Sequence, residues 1–225
     1  MKRLNINGRE GFRQMLIAGG LLAGFAVPAA LLLGLTHGFT KPKIEANRQA
    51  SLIASLNEIV PPGAYDNDLI RDSIEVPPAD MLGTREASHA YRARLRRQPV
   101  AVILEAVAPD GYSGSIRLLV GIRASGELAG IRAVEHRETP GLGDKIDAHK
   151  TDWVTQFPGK SLNYPDAEGW RVRKDGGDFD ALTGATITPR AVVQATHRAL
   201  LYFREHRDRL LAAPAGASTP STTQH

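Results

Sequence analysis

The sequence predicts an α+β fold: an antiparallel sheet with flanking helices, preceded by one N-terminal transmembrane helix. Three observations predict it. Residues 14–40 contain no charged side chain, and from residue 90 the strand-like segments alternate with a period of two. Residues 189–203 carry apolar side chains at helical spacing. Strands grouped together, with helices at both ends of the chain, favour an α+β domain.

Composition excludes several classes of function. The chain has 225 residues, is 42% hydrophobic and carries a net charge of +4. Four basic residues oppose one acidic residue before the apolar run, so the remainder is nearly neutral and nucleic-acid binding is disfavoured. Without cysteine the chain forms no disulfide and no Cys-ligated zinc or iron–sulfur site. The seven histidines show no metal-binding spacing, and no nucleophile elbow is present. We therefore predict no metal site and no catalytic residue in this chain.

The N-terminal segment predicts a membrane anchor. Residues 14–36 are as long and as apolar as a helix that crosses a bilayer needs to be. A cleaved signal peptide is disfavoured, because "PAA" is followed by more leucine and "GLTHGF" is a poor cleavage site. The basic residues 1–13 are expected in the cytoplasm. A bacterial inner membrane would then be crossed once, with the C-terminal part in the periplasm.

Residues 41–88 are predicted to form a stem helix and an irregular segment. Apolar side chains recur there at roughly helical spacing, at Ile44, Leu52, Ile53, Leu56, Ile59 and Val60. The helix should stop at "PPG", residues 61–63. The following "AYDNDLIRDSIEVPPADMLG" is rich in turn residues.

Residues 89–208 are predicted to form the main domain. "AYRARLRR" predicts a strand with one basic face, which we interpret as the charged, solvated face of an edge strand, although it could meet lipid headgroups or an acidic partner. "VAVILEAVA" predicts a more buried strand, and "SIRLLVGIRASGELAGIRAVEH" a hairpin around residues 125–127. "GWRVRKDGGDFDAL" predicts one further short strand and a glycine-rich turn.

The last helix is predicted to begin at Pro189, with Thr188 as its N-cap. Its buried stripe is expected to comprise Val192, Ala195, Thr196, Ala199, Leu200 and Phe203. Residues 209–225 are predicted to be a disordered tail, because "APAGASTPSTTQH" is of low complexity.

Three loops attract attention as candidate sites. "ETPGLG" follows a strand, but position 146 is Ile, so a dinucleotide fingerprint is absent. Glycines in that loop and in "GYSG" permit close approach of bare backbone to a ligand. "TGATIT" supplies three hydroxyls where one helix cap needs one, next to a helix N-terminus that favours a phosphate. From these residues alone, an anion site and a simple helix start both remain open.

These motifs resemble the FMN-binding subunits of ion-pumping redox complexes of bacterial membranes. That family has the flavin-transfer signature Asp-x-x-Ser/Thr-Gly-Ala-Thr-x-Ser/Thr, matched by Asp180, Thr183, Gly184, Ala185, Thr186 and Thr188. It also has "ETPGLG" and a "GYSG"-like turn, matched at residues 138–143 and 111–114, and a "YDND" segment, matched at 65–68. The resemblance spans roughly residues 10 to 207 and includes the anchor.

The resemblance implies a covalently bound FMN. In the family the threonine that closes "GAT" is joined to FMN by a phosphoester, which implies Thr186 in this chain. A flavin transferase installs the group from FAD with Mg²⁺. Asp180 and Thr183 are then recognition or positioning residues for the transferase, and Gly184 and Ala185 are further cofactor-binding positions of the signature. Residues that resemble flavin-loop contacts are Glu138, Thr139, Gly141 and Leu142, with Tyr112 and Ser113 as further candidates.

The resemblance also implies partners. Within the family the chain looks most like the FMN subunit of Rnf complexes, which couple electron flow between ferredoxin and NAD to ion transport. Its expected partners are the other membrane and iron–sulfur subunits, the flavin transferase and membrane lipid. The C subunit of sodium-pumping NADH–quinone reductase shares the signature and is the alternative. A further alternative is an exported module in which "TGAT" only begins a helix.

Overall fold

The computed structural model describes residues 8–212. Two helices flank five strands: α1 (Gly8–Ile59), β1 (Ser73–Val76), β2 (Ser88–Leu95), β3 (Gln98–Gly111), β4 (Gly114–Arg123), β5 (Leu128–Glu135) and α2 (Ile187–Leu211). Between β5 and α2 lie three short 3-10 helices, Gly143–Ile146, Asp152–Gln156 and Arg173–Asp175. This arrangement confirms the predicted α+β class.

The five strands form one antiparallel sheet in the order β1-β2-β3-β4-β5, so every strand pairs with its neighbour in sequence. β3 and β4 are the longest pair, with Val102 opposite Ile122 and Ala106 opposite Leu118. The predicted hairpin around residues 125–127 joins β4 to β5, and a two-residue turn, Tyr112-Ser113, joins β3 to β4. Short connections of this kind keep consecutive antiparallel strands adjacent.

One face of the sheet packs against α2 and the irregular chain that precedes it. Because side chains alternate along a strand, every second residue of β3 and β4 faces this side. All six residues of the predicted α2 stripe are buried, as expected. The shared core comprises Val102, Leu104, Ala106, Ile116, Leu118, Val120, Ile122, Trp170, Phe179, Val192, Leu200 and Phe203.

The opposite face is covered by the last turns of α1 and the chain that follows it. Leu56, Ile59 and Val60 pack there against alternate residues of β2 and β3, including Tyr91 and Ile103. Gly121 of β4 permits this contact, because a Cβ at that position would collide with Ile59 Cγ2. Both faces of the sheet are therefore buried.

Two compact units divide between Ser51 and Leu52. In the first, the window Gly11–Leu32 has a mean hydropathy of 2.1 and is long enough to cross a membrane. The predicted anchor, residues 14–36, and the predicted stem helix belong to one continuous helix that ends at Ile59. Residues 1–7 of the predicted cytoplasmic segment lie outside the described residues.

The prediction of a solvated basic face on β2 is wrong. Arg92 and Arg94 are 6% and 4% exposed, and β2 lies between β1 and β3. The carboxylate of Asp72 pairs with both guanidinium groups, at 2.5 Å from Arg92 Nη2 and 2.7 Å from Arg94 Nε. Both arginines also donate to the carbonyl of Ala212, the C-cap residue that follows α2. Charge pairing and the free carbonyls of a helix C-terminus thus explain why these cations are buried.

Two further expectations differ from the structure in detail. The segment 169–182 forms an isolated bridge between Val172 and Phe179 instead of a strand, with tight turns on each side. Helix α2 extends to Leu211 and buries Leu210, so residues 209–211 of the predicted tail are helical. The remaining tail, residues 213–225, lies outside the described residues.

The buried ion cluster predicts a large effect for Asp72→Ala. The change leaves two buried guanidinium groups without their carboxylate, so we expect the free energy of unfolding to fall by about 3–5 kcal/mol. Urea denaturation followed by tryptophan fluorescence measures it. Arg71→Ala is the matched control, because Arg71 is 89% exposed in its ion pair with Asp68 and should cost less than about 0.5 kcal/mol. Equal losses in both variants would contradict the assignment.

Candidate functional site

A buried carboxylate joins three of the predicted motifs. Glu138 is 5% exposed and lies three residues after the end of β5. Its Oε1 accepts a hydrogen bond from the backbone N–H of Ser113 at 3.0 Å. Its Oε2 accepts one from the hydroxyl of Thr188, at 2.5 Å. The "GYSG" turn, the "ETPGLG" loop and the first turn of α2 are therefore tied to one side chain.

Two glycines make this junction possible. A Cβ at Gly143 would lie 2.6 Å from Glu138 Oε2 and 2.7 Å from Thr188 Oγ1. A Cβ at Gly111 would lie 2.9 Å from Glu138 Oε1 and would collide with the carbonyl oxygen of Gly114. Side chains at either position would displace the carboxylate or the turn, so the space around Glu138 requires glycine.

The "ETPGLG" loop is a tight turn in which the Leu142 N–H donates to the carbonyl of Thr139 at 3.1 Å. Gly141 has φ 77°, a left-handed conformation that favours glycine. Leu142 follows with its side chain 41% exposed. This places an apolar side chain at the surface, next to the flavin-transfer signature.

The signature forms a turn that leads into α2. The Ala185 N–H donates to the carbonyl of Leu182 at 3.0 Å, and Gly184 has φ 82° as the third residue of the turn. A Cβ on Gly184 would lie 2.9 Å from Leu142 Cδ2. The two loops are therefore in direct contact, which their separation in the sequence did not indicate.

The helix begins earlier than predicted, and Thr188 is not its N-cap. Helix α2 starts at Ile187 with Thr186 at the N-cap position. Thr188 lies inside the first turn, where its fully buried hydroxyl bonds to Glu138 instead of to the helix backbone. Thr186 is half-buried and its side chain makes no capping hydrogen bond. Within residues 8–212, the Thr186 hydroxyl thus has no hydrogen-bond partner, and it lies at the N-terminus of α2.

Asp180 is held through its backbone. Its N–H donates to Gln156 Oε1 at 2.7 Å, and its carbonyl accepts from Trp153 Nε1 at 2.7 Å. Its carboxylate is 61% exposed and lies 3.0 Å from Arg173 Nε. Trp153 and Gln156 were missed at the sequence level. A tryptophan and a glutamine in a turn-rich segment carry no motif that points to Asp180.

Other predicted residues play smaller parts in the described structure. Tyr112 is 67% exposed, and Ser113 contributes its backbone N–H to the junction. Thr183 is exposed at the turn before α2. Ser113 and Glu138 thus belong to the junction, and Thr186 is the N-cap of α2. The two contacting loops contain the predicted residues Thr139, Gly141, Leu142, Thr183, Gly184 and Ala185.

Charged groups surround the start of α2. Arg190 pairs with Asp175 through two contacts of 2.6 and 2.7 Å, and this guanidinium lowers the pKa of the Asp175 carboxyl. After the "ETPGLG" loop, Lys150 Nζ lies 2.6 Å from Asp144 Oδ2 and lowers the pKa of that carboxyl.

A surface groove of about 310 Å³ lies beside the first turns of α2 and includes Ile187, the residue after Thr186. It is lined by Pro109, Asp110, Ile187, Arg190, Ala191, Gln194 and Arg198.

This arrangement is suited to binding an anionic ligand that carries an apolar group. The helix N-terminus provides free N–H groups and a partial positive charge, which favour a phosphate. Leu142, beside the signature turn, and Ile187, the first residue of α2, offer exposed apolar surface. Among the described residues no cluster of histidine, aspartate and glutamate is suited to a metal ion.

Two protein-family models match successive parts of the chain. Residues 111–201 match the family model of the FMN-binding domain, and residues 1–59 match that of the RnfG N-terminal region. The first match includes every predicted site residue.

Proteins named as the G subunit of an ion-translocating oxidoreductase complex are similar over most of their length. The one from Pseudomonas aeruginosa (strain UCBPP-PA14) is 50% identical over 91% of this chain and 96% of its own. The protein from Shewanella oneidensis is 46% identical over 89% of this chain and 94% of its own. The protein from Vibrio atlanticus is 45% identical over 87% of this chain and 93% of its own. The chain therefore belongs to the family of G subunits of ion-translocating oxidoreductase complexes.

Proposed function

We propose that this chain is the membrane-anchored electron-transfer subunit of an Rnf-type ion-translocating oxidoreductase complex, with FMN joined to Thr186 by a phosphoester. The observation that carries the proposal is the uncommitted hydroxyl of Thr186 at the N-terminus of α2, inside the matched FMN-binding domain. Both the N-terminal family match and the relatives favour this complex over the quinone reductase.

The residues present fit an FMN group. The phosphate is suited to the first turn of α2, where the N-cap residue makes no side-chain bond to the N-terminal N–H groups. The isoalloxazine is suited to bare backbone and apolar surface, which Gly141, Leu142 and Ile187 provide. Bound FMN supplies reversible electron transfer, while the protein sets its position and its potential.

Attachment requires a transferase and FAD as donor. The Thr186 Oγ attacks the phosphorus that bears the riboflavin, so an Oγ–P bond forms while the bond between the two phosphates breaks. AMP leaves, and the hydroxyl proton is lost. We assign Asp180 and Thr183 to recognition by the transferase, since both are exposed beside the acceptor. Glu138 acts as a positioning residue, because its side chain is buried and occupied by Ser113 and Thr188.

The membrane placement follows from the first helix. We propose that the window Gly11–Leu32 spans the bacterial inner membrane once, with the basic N-terminus in the cytoplasm and the FMN domain in the periplasm. A covalent bond would keep FMN with the subunit in a compartment where lost cofactor is hard to replace. Membrane and iron–sulfur subunits of the complex are the proposed partners.

The proposed attachment point predicts that Thr186→Val abolishes covalent flavin. The variant is expressed in an exporting host together with a flavin transferase, and protein-bound fluorescence is measured after denaturing electrophoresis. Mass spectrometry of the peptide that contains residue 186 locates the group. Because the hydroxyl makes no capping bond, the free energy of unfolding of the flavin-free protein should change by less than about 0.5 kcal/mol.

Thr155→Val is the matched control, since Thr155 is an exposed threonine whose hydroxyl donates to the carbonyl of Asp152. It should retain full fluorescence. Flavin that survives denaturation in Thr186→Val would show that the attachment point is wrong. Wild-type protein that never acquires flavin under these conditions would overturn the proposed function. A loss of about 1 kcal/mol in the free energy of unfolding would instead indicate a helix cap.

The Glu138 junction predicts a graded effect of substitution. Glu138→Ala leaves the buried Thr188 hydroxyl without its acceptor, so the free energy of unfolding should fall by about 2–3 kcal/mol and flavin incorporation should fall with it. Glu138→Gln should lose only about 1 kcal/mol, because the amide can pair with both groups. Glu135→Ala is the control, since that side chain is 69% exposed. Equal stability of Glu138→Ala and the control would contradict the junction.

A further inference from the structure

The 3-10 helix Asp152–Gln156 bridges the two predicted flavin segments without belonging to either. At its start, the Thr151 hydroxyl donates to the carbonyl of Lys145 at 2.6 Å and accepts from the Trp153 N–H at 3.3 Å. Lys145 lies in the short helix that directly follows the "ETPGLG" loop. At the other side, Trp153 and Gln156 bond to Asp180, the first residue of the flavin-transfer signature.

These two side chains occupy both polar groups of the Asp180 backbone. Gln156 accepts from the N–H and Trp153 donates to the carbonyl, each at 2.7 Å. The amide of Gln156 is itself oriented, because its Nε2 donates to the carbonyl of Trp153 at 2.8 Å. With the N–H and the carbonyl both bonded, the Asp180 backbone has little freedom to rotate.

The two hydrogen bonds from Trp153 and Gln156 to the Asp180 backbone, called the clamp below, are supported by packed aromatic rings. The Trp153 ring meets Phe157 edge-on at 5.2 Å between centroids, and Phe157 meets Phe179 at 4.9 Å. Phe157 and Phe179 are 0% and 1% exposed. Phe179 directly precedes Asp180, so the same aromatic group holds the chain on both sides of the clamp.

We infer that Gln156 and Trp153 are positioning residues that hold Asp180 for the transfer of FMN to Thr186. The inference rests on the proposed function. Backbone clamping leaves the Asp180 carboxylate exposed for an enzyme to recognise, while α2 fixes the acceptor at the other end of the signature. Both ends of the segment between the recognised carboxylate and the reacting hydroxyl are thereby held, which favours reaction by fixing orientation.

The test measures flavinylation kinetics of the full chain in detergent, with a flavin transferase, FAD and Mg²⁺. Initial rates of protein-bound fluorescence are recorded at increasing concentrations of the chain. Gln156→Leu and Trp153→Phe each remove one bond to Asp180 and keep much of the side-chain volume. We expect each to lower kcat/KM by about tenfold, mainly through KM for the chain, because the carboxylate is presented less often in the correct position.

Two variants separate positioning from general stability. Gln156→Glu keeps an acceptor for the Asp180 N–H and should restore most of the rate. Thr155→Val changes the same 3-10 helix without contacting Asp180 and should leave the rate unchanged. In an Asp180→Ala background, Gln156→Leu should have no further effect on the rate, because it acts through Asp180.

The outcomes distinguish this inference from the proposed function. Wild-type rates in both Gln156→Leu and Trp153→Phe, with flavin on Thr186, would overturn the clamp and leave the proposed function intact. The clamp would also be overturned if Gln156→Leu lowered the rate in the Asp180→Ala background as much as it does in the wild-type chain. If the wild-type chain acquires no flavin, the proposed function falls, and with it the reason for a clamp.

Discussion

Burial of both faces of the sheet is the constraint on which the rest of the domain depends. The strands carry apolar side chains on both sides, so each side requires a cover. The end of α1 covers one face, and α2 with the irregular chain before it covers the other. Because α2 must lie along the sheet, its N-terminus is brought to the β3–β4 turn, where Glu138 bonds to both. The position of the site therefore follows from the way in which α2 covers its face of the sheet.

The two ends of α2 are held by different means. At the C-terminal end, Arg92 and Arg94 donate to the carbonyl of Ala212, the C-cap of the helix, and they share the carboxylate of Asp72. At the N-terminal end the Thr188 hydroxyl points into the protein, and the N-cap residue makes no side-chain bond to the helix. Guanidinium groups pair with the negative end of the helix, while the positive end has no side-chain cap. This difference is what makes the start of α2 suitable for a phosphate.

Much of the fold followed from local pattern, but the contacts of the site did not. The strands, the hairpin and the stripe of α2 were predicted because alternation and helical spacing are local properties. The buried ion pairs of Arg92 and Arg94 with Asp72 were missed because Asp72 lies on another segment. Charged side chains on a strand usually indicate a face that is exposed to solvent. Thr188 looked like a cap because its acceptor, Glu138, is 50 residues away. The motif match identified the signature, whereas the clamp of Trp153 and Gln156 on Asp180 has no sequence signal at all.

The contacts that shape the signature turn have a consequence for the order of events during biogenesis. The signature occupies fewer than ten consecutive residues, yet its supports close loops of 24, 27 and 50 residues. Contacts between residues this far apart in the sequence cost loop-closure entropy and belong to the folded domain. A nascent or unfolded chain therefore contains the signature sequence but not the conformation that the signature has in the folded domain. If Thr186 carries FMN as proposed, we expect its modification to follow folding, so that a transferase would act on domains that have folded correctly.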